Sequence, residues 1–321
     1  MPKLPSGRIL KLSFRAQREI CFLLVLGTLG CPVIHAQAQR PKILGICSVQ
    51  ISVTDYCKSI DFYSKVLGQT RDKQTECPPP GQSVTHYGFG FTLRSNQQLN
   101  LGSFATPDPG KLVSEFGFVT DDAPALLLYL KSQGFEAQPA GKFAMIMVIA
   151  KDPEGHRIVF MDQRALPREH NSPVSTSKPQ RIIHVGFIVW NQTAMEHFYM
   201  DILGFHVYWH GGMKDDQTDW VDMQVPDGTD WIEFMLNVPP DADEHTLGVM
   251  NHIALGVPDV RAAANQLEKA GVKLPEPPTV GRDGKWQLNL YDPDGTRVEL
   301  MEFTPVQKPC CSEYTGPHPK P

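Results

Sequence analysis

Two histidines and two glutamates stand inside apolar, β-branched runs of the C-terminal half, where polar side chains are least expected. His184 lies in IIHVGFIVW (182–190), Glu233 in DWIEFML (230–236), His252 in NHIALGV (251–257) and Glu299 in TRVELMEF (296–303). Alternation along a strand puts Glu299 on the face of Met301, and Glu233 on the face of Trp231 and Met235. A carboxylate buried on such a face costs several kcal/mol unless a cation or a full set of hydrogen bonds answers it. Carboxylates and imidazoles also bind divalent metals and move protons.

The elements that must hold these residues are written twice. ISVTDYCKSIDFYSKVLG (51–68) matches FIVWNQTAMEHFYMDILG (187–204), and DPEGHRIVFMD (152–162) matches DPDGTRVELME (292–302). A repeat on this scale means one module used twice. In the second copy, residues 182–190 read as a buried strand. Met195, Phe198, Tyr199, Ile202 and Leu203 then recur on one helical face that Gly204 closes. Strands are expected at 206–210, 219–225 and 230–236. The pattern restarts with a strand at 251–257, a helix at 260–270, and strands at 286–292 and 296–303 joined by the turn Asp292-Pro293-Asp294-Gly295. Each copy is thus β-α-β-β-β taken twice. The expected boundaries are a first module at 44–165, a linker at 166–180 with Pro, Ser and Thr, a second module at 181–304 and a Pro-rich tail at 305–321.

This order, with the FY-x(3)-LG helix end, the HIAL strand and the DPDG-x(3)-EL strand, resembles the vicinal oxygen chelate superfamily. That superfamily includes glyoxalase I, bleomycin-resistance proteins and extradiol dioxygenases. The resemblance implies an α+β fold of two tandem modules, each of two βαβββ units forming a cup-shaped mixed sheet. It also implies a metal held from the first and fourth strands of each half. Carried over residue by residue, those positions are His184, Glu233, His252 and Glu299 in the second module. In the first they are Ser48, Asn100, Ser114 and Val159, so the first module is expected to hold no metal.

Two nitrogen and two oxygen donors with no thiolate suit Zn, Ni, Co, Mn or Fe(II). The expected partner is a small molecule with two adjacent oxygens. Glyoxalase-like relatives imply a lyase or isomerase in which Glu299 or Glu233 takes the proton between those oxygens, giving a metal-chelated enediolate. The first alternative is an Fe(II) extradiol ring-cleavage dioxygenase using His184, His252 and Glu299. A non-catalytic small-molecule binding or resistance protein is the second. All five tryptophans lie in the second module. Trp231, Trp286, Arg282 and Lys285 are the candidate pocket residues, the last two for an anionic substituent.

The remaining sequence bounds the setting. Hydrophobic content of 41% and charged content of 20% describe a globular chain, and no apolar run reaches the length of a membrane span. Lys3, Arg8, Lys11, Arg15 and Arg18 precede the apolar stretch Ile20 to Ile34, and Ala36 and Ala38 follow it. Residues 1–38 therefore read as a signal peptide, and the protein as exported. Without them the chain is more acidic than its formal −5, which argues against nucleic acid as a partner. A second copy of the chain could be one. Five cysteines remain, an odd number, so at least one is expected to stay free or pair between chains. Adjacent Cys310 and Cys311, with His318, suggest a soft metal site or a lid contact.

Overall fold

The computed structural model describes residues 39–69, 90–103, 107–141, 147–166 and 175–321. The signal-peptide reading of 1–38 lies outside them. Among the described residues no helix is long and apolar enough to cross a membrane.

Two curled mixed sheets carry the fold. The first contains β1 (Ile43–Val53), β2 (Gly90–Thr92), β3 (Gln98–Ser103), β4 (Val113–Thr120), β5 (Ala137–Ala140), β6 (Met147–Lys151) and β7 (Arg157–Asp162), in the spatial order β2-β3-β1-β4-β7-β6-β5. The second contains β8 (Arg181–Ile188), β9 (His206–Gly211), β10 (Trp220–Gln224), β11 (Trp231–Met235), β12 (His252–Val257), β13 (Thr279–Val280), β14 (Trp286–Tyr291) and β15 (Arg297–Glu302). Its order is β13-β14-β15-β12-β8-β11-β10-β9. Both sheets obey one rule. The first strands of the two half-units pair antiparallel (β1 with β4, β8 with β12), and each pairs parallel with the last strand of its own half. The two-copy α+β reading is what is found.

Helices follow the first strands: α1 (Tyr56–Leu67), α2 (Ala123–Ser132), α3 (Gln192–Glu196) and, after a short α4 (Glu244–Met250), α5 (Val260–Lys269). A side-chain cap opens each crossover helix in the same way. Asp55, Asp122, Asn191 and Asp259 accept the backbone N–H three residues on, worth about 1 kcal/mol each. The expected helix after β8 changes character midway. Its α-helical start gives way to a π-helical stretch at His197–Ile202, although Met195, Phe198, Tyr199, Ile202 and Leu203 are buried as their spacing predicts. Helix α4 has too few turns to show a periodicity in sequence.

One apolar core runs through both sheets. Phe116 of β4 stacks on Phe187 of β8, with ring centroids 5.1 Å apart. Polar bonds cross the same boundary. The Gln97 side chain donates to Ile46 O and Ile182 O, and accepts from Ile182 N at 2.7 Å. Tyr63 on α1 donates to Asp292 at 3.0 Å, and its repeat partner Tyr199 donates to Asp152 at 3.2 Å. Asp152 and Asp292 also organise the two DPxG turns, each accepting two turn N–H groups. Left-handed Gly155 and Gly295 close those turns.

Candidate metal centre

Strands β15, β12, β8 and β11 are neighbours at the middle of the second sheet, and each carries one of the four candidate donors. Strand pairing arranges them in two rows on one face. The first row reads Glu299, Ala254, His184, Trp231 and the second Arg297, His252, Gly186, Glu233. Positions two apart on a strand share a face, so both rows line the same surface. The residue between two donors of a row is Ala254 or Gly186, which leaves space for the flanking side chains to converge. At Gly186 the space is already taken: a Cβ there would lie 1.8 Å from Cε1 of His252.

The donors meet. Nε2 of His184 lies 3.0 Å from Nε2 of His252 and 3.6 Å from Glu299 Oε2. Donor atoms of His184, His252 and Glu299 all fall within 4.8 Å of one another, and all three residues are buried. Glu233 stands beside this set, its Oε2 2.7 Å from His252 Nε2 and 3.9 Å from His184 Nε2. Burial holds both imidazoles well below the usual histidine range, so both are neutral. Burial also pushes the Glu299 carboxyl up to about 8. His252 Nδ1 faces Met250 O at 3.3 Å, an arrangement that leaves Nε2 with a free lone pair. Two neutral nitrogen donors and a carboxyl whose ionisation burial opposes suit a divalent cation.

Two neighbours are absent from the sequence reading. Arg297 places Nη2 2.9 and 3.0 Å from the two ring nitrogens of His252, between them and off the axis of either lone pair, and 3.9 Å from Glu233. Asp222 on β10 lies directly opposite Glu233. Burial first, then the charge of Glu233, pushes its carboxyl well above the usual range. Its position in DWVDMQV, polar on an apolar strand like Glu233, was the available signal. For Gly186 it was a glycine inside a strand, which marks close approach of another group.

The donors open into a cavity of about 320 Å³ whose walls include Trp209, Trp220 and Trp231. Trp231 is the expected wall, its ring centroid 4.8 Å from that of His184, and Arg282 stands at the rim, paired with exposed Asp215. Two pocket expectations are corrected. Trp286 does not line the cavity, because its neighbour Gln287 does and alternation turns Trp286 to the other face, under the Arg261 guanidinium. Lys285 is fully buried behind the wall, its Nζ 4.4 Å over Trp231 and 5.0 Å over Tyr314. A tyrosine from the tail covers it, and it is not part of the cavity lining.

The first sheet carries the same two rows with other residues: Val159, Gly117, Ser48, Gln98 and Arg157, Glu115, Gln50, Asn100. Glu115, and not Ser114, therefore matches His252. Regular pairing of Ser48 to Gln50 with Gly117 to Glu115 sets this match, one residue away from the sequence alignment. Glu115 is paired with Arg157, and Gln50 fills the place that Gly186 leaves open.

The profile of the Glyoxalase/Bleomycin resistance protein/Dioxygenase superfamily matches residues 45–160 and 181–300. No curated protein matches the sequence. Among solved structures, homoprotocatechuate 2,3-dioxygenase of Arthrobacter globiformis has a TM-score of 0.58 at 18% identity, covering 83% of this chain and 81% of that one. An extradiol ring-cleaving dioxygenase of B. fuscum gives 0.60 at 17% identity, covering 87% and 76%. The Brevibacterium fuscum homoprotocatechuate enzyme in complex with 3,4-dihydroxyphenylacetate gives 0.58 at 18%, covering 87% and 84%. At such identities the likeness is one of fold.

Proposed function

The chain belongs to the glyoxalase/bleomycin resistance protein/dioxygenase superfamily, and from that membership we propose that it is an Fe(II)-dependent ring-cleavage dioxygenase for catechol-type substrates. One observation carries this reading: of the four candidate donors, two imidazoles and one carboxylate form the compact buried set. That composition is the facial triad of non-haem iron oxygenases. The sequence had put a glyoxalase I-like lyase first. The triad favours the dioxygenase over it, and a fold shared over most of the chain with ring-cleaving enzymes supports the same reading.

Iron(II) held by His184, His252 and Glu299 would supply a redox-active centre with positions left for exogenous ligands. The protein's own groups do the rest. Trp209, Trp220 and Trp231 offer flat walls to an aromatic ring and exclude water from it. Glu233 Oε2 faces the cavity and can accept a proton from a substrate hydroxyl. Asp222 beside it keeps its proton through burial and can share one with Glu233.

A second reading has its own observation. Glu233 Oε2 lies 2.7 Å from His252 Nε2, close enough to become a fourth donor, as a metal-dependent lyase or isomerase would use it. The assays separate the two. Purified protein loaded anaerobically with iron should consume oxygen with catechol or 3,4-dihydroxyphenylacetate. Turnover of a methylglyoxal–thiol adduct stimulated by Ni or Zn, with no oxygen uptake, would overturn the dioxygenase. Glu233→Gln should keep iron and lose turnover; loss of the metal would assign Glu233 as a ligand instead.

A further inference from the structure

Cys310 and Cys311 are joined by a disulfide between chain neighbours. A disulfide stabilises chiefly by closing a loop in the unfolded chain, and this one closes none. Nor does it fill the core: Cys311 is exposed and Cys310 half-buried. Cys311 is held with φ 68, a left-handed conformation that a side chain adopts only under constraint. Separate clamps hold the tail on either side of it. Cys310 N–H donates to Arg282 O at 2.8 Å, Trp209 Nε1–H donates to Cys310 O at 3.2 Å, and His210 N–H donates to Ser312 Oγ at 2.9 Å. These bonds involve no sulfur, so they hold both cysteines at the cavity rim whatever their oxidation state.

What the sulfurs face is the second observation. A carboxylate oxygen of Asp215 and both Sγ atoms lie within 4.8 Å of one another. The Arg282 guanidinium pairs with Asp215 and approaches Cys311 Sγ to 3.6 Å. A cation already sits against this donor set, and a neighbouring guanidinium favours thiolate over thiol. His318, which the sequence grouped with the cysteines, bonds Tyr208 instead.

We propose that Cys310 and Cys311, once reduced, form with Asp215 a site for a soft divalent cation at the rim of the cavity, separate from the His-His-Glu centre. A thiol or phosphine reductant supplies two electrons; the S–S bond breaks and two S–H groups form with protons from solvent. Cation binding then releases those two protons, and two thiolates and a carboxylate become ligands. The ion takes over the guanidinium's place on Asp215 and frees Arg282, a cavity-lining residue. Dithiol redox state and soft-metal supply would thereby act on the cavity entrance.

The test uses the full chain, reduced with a phosphine, freed of it, and titrated anaerobically with Cd(II). The readout is thiolate-to-cadmium charge-transfer absorption, to which the nitrogen and oxygen donors of the other centre contribute nothing. The reduced parent should bind one equivalent more than the reduced Cys310→Ser/Cys311→Ser variant, with a correspondingly stronger band, and the unreduced chain should lack that equivalent. Asp215→Asn should keep the band with affinity lowered at least about tenfold. All other cysteines are common to parent and variants, so a band undiminished in the double serine variant would overturn the site. An unchanged affinity in Asp215→Asn would overturn the three-donor arrangement.

Discussion

Glu299 and Glu233 share a concave face, yet their surroundings assign them different work. Glu299 is buried within reach of both imidazoles, whereas Glu233 sits between His252 and the open cavity. Glu299→Gln keeps the shape and removes the charge. It should lower iron affinity by more than about 100-fold, beyond what outer-sphere partners cost, and abolish oxygen uptake; metal titration and an oxygen electrode check both. A variant that kept full activity would remove Glu299 from the centre. Outside the cavity lining, Asp292 makes a sharper case for pH. Burial pushes it up to about 6 from an ordinary 3.8. A carboxyl raised in the folded state favours folding below the unfolded pKa, and that advantage is lost as pH rises through the folded one. Between about pH 4 and 6 it should therefore cost about 3 kcal/mol of stability. Asp292→Asn still accepts the Asp294 and Thr296 N–H groups and should flatten that segment of a denaturant-measured stability curve. An unaltered slope would mean that Asp292 titrates normally.

At the scale of elements, the centre is four neighbouring strands in correct register with small residues between the donors. Gly186 is the tightest point, because its missing side chain is where the His252 ring lies. Gly186→Ala should swing that ring aside, cutting metal affinity by on the order of 100-fold while far-UV circular dichroism stays native. Intact binding would show that the ring can move and still ligate. Much of this was legible in the sequence. The β-branched runs mark β8, β11, β12 and β15, and the internal repeat marks which polar residues break them. What was not legible depends on pairing and facing. The match of His252 to Glu115 needs the pairing of Gln50 with Glu115 and of Glu115 with Arg157. Arg297 reads as a strand-opening arginine until β12 lies beside it. Lys285 and Trp286 were expected to line the pocket; alternation puts Trp286 and Gln287 on opposite faces, and only the pairing of Gln287 with Met301 decides which one faces in. The cover over Lys285 comes from Tyr314, which no periodicity connects to it.

At the scale of the whole molecule, the first sheet has no convergent donor set in its two rows but holds the strand that opens the second. Ile182, two residues before His184, is bonded twice by the buried side chain of Gln97. Asp230, adjacent to Trp231, accepts from Ile46 N at 2.9 Å and from Arg181. The reciprocal Tyr63–Asp292 and Tyr199–Asp152 bonds tie each module's first helix to the other's last turn. With one apolar cluster drawing on both sheets, separating them would expose core on each side and leave buried polar groups unpaired, at about 1–3 kcal/mol per group. The two copies should therefore unfold together. Tryptophan placement makes this measurable, since all five lie between 190 and 286 and fluorescence reports on the second copy alone, while far-UV circular dichroism reports on both. Urea curves from the two probes should superimpose with one midpoint. Tyr63→Phe, altered only in the first copy, should shift the fluorescence midpoint as far as the dichroism midpoint, by about 1–2 kcal/mol of stability. Two separated midpoints, with fluorescence indifferent to Tyr63, would make the first copy a passenger and leave the position of His184 to the second sheet alone.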